Sequence, residues 1–209
     1  MRPLRVLGLA IMCAQLVACA GDMTEDGAME EVATGAVAAV ADGWTMLLDG
    51  STLDGWDVVG DSNWTVGDGF VEATSGGIGY LVTPASYGDF ELRVEFWVNN
   101  IANSGVFIRC ADPAEIGDTS AYEVNIYDTR PDQTGRTGSI VNFAPPSEVI
   151  DAGGQWNTFE IRAEGEQLVV VMNGTETVNF EDSTYAEGPI ALQYGAGIVR
   201  FRNVQIREL

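Results

Sequence analysis

Gln167-Leu168-Val169-Val170-Val171-Met172-Asn173-Gly174-Thr175-Glu176-Thr177-Val178-Asn179-Phe180-Glu181 is the stretch that decides how this chain folds. Asn-Gly between two β-favouring runs is the strongest local signal for a type I′ hairpin, because both central residues of that turn need positive φ. Working outward, the same grammar repeats. Gly165-Glu166 precedes the hairpin and Gly67-Asp68-Gly69 separates two earlier runs. Short β-favouring segments are predicted at residues 45–48, 64–66, 70–73, 80–83, 89–98, 105–110, 122–127, 139–142, 157–164, 190–192 and 199–207. The five tryptophans all fall between Trp44 and Trp156, and no segment of this body has the 3.6-residue period of a helix. About a dozen antiparallel strands without an internal repeat predict an all-β fold, a jelly-roll sandwich of two packed antiparallel sheets.

The start of the chain has a different character. Arg2 and Arg5 precede a short apolar run that ends in Leu16-Val17-Ala18-Cys19. The run is too short for a membrane-spanning helix and reads as a signal peptide over residues 1–18. Its end resembles a lipobox, so Cys19 is the expected lipidation site. The alternative is a plain secretory signal cleaved near Ala18 or Ala20. Ala20 stands where Asp would favour inner-membrane retention, so an outer-membrane lipoprotein is expected, facing the periplasm or the cell surface. Residues 19–42 mix acidic and Ala/Val positions without an aromatic residue and read as a tether. The domain then occupies residues 43–209.

That division leaves Cys110 alone in the mature chain, so no disulfide and no paired-cysteine metal site is expected. Thirty-one acidic residues face ten basic ones, for a formal net charge of −21. Such a surface repels phosphate backbones and argues against nucleic acid as a partner, leaving membrane contact to the lipid alone. The sequence has no histidine, which removes Ser-His-Asp and Cys-His catalysis. No metal is called for, and a divalent cation, if present, would need oxygen ligands.

Strand alternation points to one candidate surface. In residues 103–109, Val106 and Ile108 face the core, while Asn103, Gly105, Phe107 and Arg109 share the other side. In residues 122–128, Val124 and Ile126 face inward, while Glu123, Asn125 and Tyr127 point away. If the two strands are neighbours, one face gathers an arginine, a glutamate, an amide and two aromatic rings, groups suited to sugar hydroxyls and sugar C–H faces. The plainer reading is a solvated face with a surface Arg–Glu pair worth ~0–1 kcal/mol. Gly76-Gly77-Ile78-Gly79 has no helix after it and makes a poor phosphate cradle. Glu91 and Glu95 lack the intervening aspartate of the usual retaining glucanase motif.

Taken in order, residues 47–56, 64–69, 87–96, 103–109, 122–128, 154–161, 173–174, 188–193 and 201–204 resemble the bacterial 3-keto-disaccharide hydrolase family over essentially all of residues 43–209. The resemblance implies a concanavalin A-like jelly roll and a small carbohydrate substrate. It also implies cleavage of glycosides oxidised to a ketone at C3: proton abstraction at C2, elimination at C1, then hydration. On that reading Glu123 is the base and Arg109 stabilises the enolate. Asn103, Phe107, Asn125, Tyr127, Asp128 and Gln193 contact substrate, Asp128 alternatively bracing the strand end or holding a cation. Two departures stand out. Val141 replaces the tyrosine that often follows the Thr137-Gly138-Ser139-Ile140 motif, and no histidine stands near Gly195. A non-catalytic glycan-binding module on the same fold is therefore the alternative.

Overall fold

A computed structural model describes residues 41–209; the expected signal peptide, Cys19 and most of the tether lie outside these residues. The body contains β1 (Thr45–Leu48), β2 (Asp57–Val66), β3 (Val71–Val82), β4 (Phe90–Val98), β5 (Ser104–Ile108) and β6 (Tyr122–Ile126). These are followed by β7 (Trp156–Glu164), β8 (Gln167–Met172), β9 (Thr175–Glu181), β10 (Ala191–Tyr194) and β11 (Val199–Glu208). All strand pairs are antiparallel, in the order β6-β5-β10-β3-β11-β4-β7-β8-β9, with β1 on β11 and β2 on β3.

Two layers arise from one creased sheet. The C-terminal part of β3 pairs with β10, and its N-terminal part pairs with β11. The crease falls where the β2–β3 register shifts around Ser62. Gly76 has φ 101° there, and a Cβ on it would collide with the Asp61 carbonyl, so glycine is required. The sequence reading had put a break between two short strands at this point; the glycines instead bend a single long one. Residues 139–142, expected as a strand, form only isolated bridges from Ile140 to Val124 and Ala144. Gly138 and Asn142, both at positive φ, end any extended run on either side.

With no disulfide among the described residues, the two leaves are held by what they bury. Leu81, Val106, Ile108, Tyr122, Val124, Ile126 and Leu192 of one leaf meet Phe90, Leu92, Phe96, Phe159, Ile161, Val170 and Phe201 of the other. Each such side chain contributes roughly 1.5–3 kcal/mol on burial. The outward face of the second leaf is a lattice of arginines on acids and aromatic rings. Arg200 pairs with Glu72 at 2.5 Å, Arg202 with Glu95 at 2.7 Å and Arg93 with Glu160 at 3.4 Å. Glu91 takes both Arg162 and Arg207. The Arg202 guanidinium also lies 3.9 Å from the centre of the Trp156 ring.

Arg109 ties one leaf to the other. It follows β5 at φ 52°, which breaks the alternation and turns its side chain away from the face that Phe107 occupies. Only 1% exposed, the guanidinium donates to Gly88 O at 2.9 Å, to Gly165 O at 2.8 Å, to Tyr185 O at 3.3 Å and to Asp89 Oδ1 at 3.0 Å. Gly165 and Asp89 belong to the second leaf's turns, and Asp89 also accepts from Gly165 N at 2.8 Å. Replacing Arg109 with Met keeps the aliphatic stem but strands three carbonyls, while Asp89 stays half exposed and bonded to Gly165 N. The expected loss is about 1–3 kcal/mol, measured by urea denaturation; near wild-type stability would show that this bracket is dispensable.

Candidate functional site

The outward face of the first leaf carries a row of side chains fixed by strand register. Asp57 pairs with Val82, Val82 with Ala191, Ala191 with Phe107, and Phe107 with Glu123. A second row beside it begins Val59, Tyr80, Gln193, with Gly105 and Asn125 as partners on β5 and β6. Val82, Phe107, Cys110, Ala121 and Ala191 form a small apolar cluster under this face, with Val59, Tyr80 and Ile116 packed on it. Residues 111–120 lie over the face. They are held by Tyr80 Oη donating to Ile116 O at 3.1 Å, Tyr185 Oη donating to Thr119 O at 2.6 Å, and Asn142 Nδ2 donating to Asp118 Oδ2 at 3.1 Å.

Glu123 ends the first row and is 7% exposed. Its carboxylate lies across Gly105: a Cβ at that position would come within 3.0 Å of Oε1 and 3.1 Å of Cγ. No hydrogen bond to the carboxylate is found among the described residues. Burial pushes its pKa from 4.5 up to about 7, the negative charge of Asp118 adds to the rise, and Arg130 opposes it. Val141 donates its backbone N–H to Glu123 O at 3.0 Å, so the position where the resemblance calls for tyrosine is directly beside this residue. Valine there is buried and gives the carboxylate no donor.

Gln193, 8% exposed, donates from Nε2 to Tyr80 Oη at 3.4 Å, while its Oε1 is buried with no partner in the protein. An unpaired acceptor at this depth costs about 1–3 kcal/mol. Tyr80 meets Phe107 edge to face at 5.5 Å. Tyr80 escaped the sequence reading, although the parity of its own strand would have put it on this face with Val82.

The structure brings together Glu123, Phe107 and Gln193 but not the other expected site residues. Arg109, expected as the enolate donor, is the buried bracket described above. Asn125, expected to orient hydroxyls, is spent on the chain itself: Nδ2 donates to Gly135 O and Oδ1 accepts from Ile126 N. Asp128 accepts from Thr137 Oγ1 at 2.6 Å and from Ala152 N and Gly153 N at 2.9 Å, so it braces the strand end rather than facing substrate. Phe107 is floor, 1% exposed, rather than an open stacking platform. Tyr127 and Asn103 are half-buried at the ends of their strands. Asn103 fills the space beside Gly195, where a Cβ would lie 2.9 Å from its Nδ2, so a histidine at 195 would have to displace it. No group of three or more acidic or cysteine side chains placed to hold a metal is found among the described residues.

Two other arginines remain without an acidic partner. Six of the eight described arginines are in ion pairs, whereas Arg130 and Arg136 are in none among the described residues. Both lie in the loop after β6, Arg136 Nε donating to Arg130 O at 3.1 Å, and Arg130 is the one whose charge reaches Glu123.

The raised pKa is also a statement about stability. A carboxyl that is harder to ionise in the folded protein supports the fold fully below the unfolded value near 4.5, and that support is lost as pH rises through about 7. Glu123→Gln should therefore raise the stability at pH 8 by on the order of 3 kcal/mol relative to wild type, with no gain at pH 4. Thermal melts across this range check it; an equal offset at both pH values would contradict the shift.

Comparison with known proteins agrees with this architecture. A family model described as the 3-keto-alpha-glucoside-1,2-lyase-like domain matches residues 43–207. A 3-keto-disaccharide hydrolase of Bacteroides thetaiotaomicron is 29% identical over 131 residues, covering 48% of this chain and 45% of the relative, so the match spans less than half of that protein. Among solved structures, a protein of Parabacteroides distasonis provisionally named a glycosyl hydrolase superposes with a TM-score of 0.73 at 19% identity, over 81% of this chain and 95% of its own. The carbohydrate binding module CBM66 from Bacillus subtilis gives 0.60 at 17% identity, over 74% and 96%. These two show the shared jelly-roll fold. With the family model covering nearly the whole body, this chain belongs to the 3-keto-alpha-glucoside-1,2-lyase-like domain family.

Proposed function

We propose that the protein cleaves 3-keto-glycosides with Glu123 as the general base. The observation that carries this is a buried carboxylate without a donor whose pKa is pushed up to about 7. The ketone at C3 acidifies the C2 proton. Glu123 takes that proton, and the electron pair of the broken C2–H bond passes first to the C3 oxygen as an enolate. It returns to form the C1=C2 double bond as the C1–O bond breaks. The proton held by Glu123 neutralises the departing alkoxide. Water then adds across the enone, hydroxyl to C1 and hydrogen to C2, so the net change is hydrolysis.

The enolate needs a positive partner, and Arg130 takes the role first read for Arg109. Its charge already acts on Glu123, and it makes no ion pair among the described residues, although the nearby Asp132 also feels its charge. Turned outward, Gln193 would offer its unpaired Oε1 to a sugar hydroxyl. The second reading, a binding module without turnover, draws on Val141 and Gly195. Where family members often carry a phenol and an imidazole, neither position here supplies a proton donor.

The N-terminus leads to the companion proposal of a lipidated envelope protein sorted to the outer membrane. Labelling cells with a radioactive fatty acid should mark the wild-type chain, and Cys19→Ala should abolish the mark; label retained in the variant would refute anchoring at Cys19.

Catalysis is tested by release of the leaving alcohol from a 3-keto-glucoside. Glu123→Gln should lower kcat by roughly 10²–10⁴, Arg130→Met should lower kcat more than it changes KM, and wild-type kcat/KM should rise with pH through about 7 as the base ionises. Near wild-type turnover by Glu123→Gln would remove the base. Binding of the sugar without any turnover by the wild type selects the second reading.

A further inference from the structure

Glu123 changes its needs with its proton. Ionised, it calls for a donor; protonated, as it is below about pH 7, it is itself a buried donor and calls for an acceptor. Four buried side-chain atoms lack a partner among the described residues: Ser62 Oγ, Trp64 Nε1, Ser139 Oγ and Gln193 Oε1. The Trp64 N–H can only donate. Ser62 is on β2, which lies three strands from β5 and its Gly105. Ser139 lies beyond Asn125, whose N–H donates to the Ser139 carbonyl at 3.0 Å, so β6 separates it from Gly105. That leaves Gln193. Ala191 pairs with Phe107, so two residues along each antiparallel strand Gln193 comes level with Gly105.

That glycine is where the two side chains meet. A Cβ on Gly105 would lie 3.0 Å from Glu123 Oε1, so the carboxyl covers the glycine from the β6 side. Gln193 stands on the β10 side, and level residues of neighbouring strands hold their Cβ atoms about 4.5–5.5 Å apart. With glycine at 105, no side chain of β5 comes between them at this level. The orientation of the amide follows from its other neighbour. Tyr80 Oη gives its one proton to Ile116 O at 3.1 Å, so toward Gln193 it can only accept. Nε2 therefore faces Tyr80, at 3.4 Å, which leaves the acceptor Oε1 for Glu123.

We infer that Gln193 is a positioning residue for Glu123: over Gly105, its Oε1 accepts the proton of the neutral carboxyl and holds that carboxyl in place. The charged and titratable groups around the pair are Asp118 on the covering segment, Arg130 in the loop after β6 and Tyr80 on β3. Burial above all pushes the Tyr80 hydroxyl above its ordinary range, so it stays neutral while Glu123 titrates. An acceptor facing the neutral carboxyl favours that form, and the same oxygen repels the ionised carboxylate. A sugar hydroxyl that draws Gln193 outward removes both effects, so Glu123 ionises more readily once substrate is in place. This bearing on catalysis rests on the reading of Glu123 as the base.

The test is carbon-13 NMR of the intact protein across the range in which Glu123 titrates. In the wild type, the side-chain carbonyl carbon of Gln193 should titrate with the same midpoint as the Glu123 carboxyl, and in Glu123→Gln it should hold flat. Gln193→Met keeps the length of the side chain and removes the acceptor. It should lower the Glu123 midpoint by roughly one pH unit, a tenfold loss of proton affinity, whereas a role confined to packing leaves the midpoint in place. A Gln193 carbon that does not respond in the wild type overturns the pairing, and this measurement decides even where Gln193→Met fails to fold. An unchanged or higher midpoint in a folded Gln193→Met overturns it as well. Turnover is judged separately. With Glu123 as the base, the acid limb of kcat/KM on a 3-keto-glucoside moves down with the midpoint in Gln193→Met. A midpoint that falls while the limb stays in place supports the pairing and removes the base instead.

Discussion

A carboxylate taken out of water with no donor to meet it is the constraint around which this face is organised. Glu123 is held on the edge strand β6 by register with Phe107, and Gly105 is bare so that the carboxylate can lie across it. Phe107, Val141 and the segment 111–120 keep water away, and Asp118 on that segment adds a like charge. Every one of these makes the ionised form less favourable, which is a cost to the fold and an advantage to a base that must act near neutral pH. A raised proton affinity makes a carboxylate at this position a stronger base toward a proton α to a ketone.

The arginines divide by task. Five on the second leaf neutralise acids, and four of them also cover aromatic rings. Arg109 is buried and spends its donors on three carbonyls and Asp89, locking the edge of one leaf to the turns of the other. Arg130 and Arg136 are left, held together by Arg136 Nε donating to Arg130 O, and the charge of Arg130 acts on the buried Glu123 carboxylate. In a chain with 31 acidic residues, a guanidinium without a carboxylate partner is the exception. That contrast is the reason to place Arg130, rather than Arg109, opposite the developing enolate.

Much of the fold was legible because period-2 alternation and turn chemistry are local. The Asn173-Gly174 hairpin forms as expected between β8 and β9, and Val106, Val124 and Ile126 face the core while Phe107 and Glu123 face away. The reading broke where one residue changes the local rule. Arg109 at φ 52° flips parity just beyond β5, and arginine carries no signal for that conformation, which Gly or Asn would more often mark. Glycines at 76, 77 and 79 look like a turn in sequence, yet their value here is to let a strand bend under a close neighbour. Asn125 and Asp128 look like ligands for a sugar because amides and carboxylates usually are exposed; here folding delivers backbone groups of residues 135, 152 and 153 to them. Asp118 and Arg130 lie in loops with no periodicity, so only the folded chain reveals that they act on Glu123.

The central claim is the protonation of one side chain, and it can be read directly. Titrating the side-chain carboxyl carbon of Glu123 by NMR, assigned by its loss in Glu123→Gln, should give a midpoint near pH 7. A midpoint near the ordinary glutamate value of about 4.3 would mean that this carboxylate is solvated or paired, and the base proposed for this face would be lost.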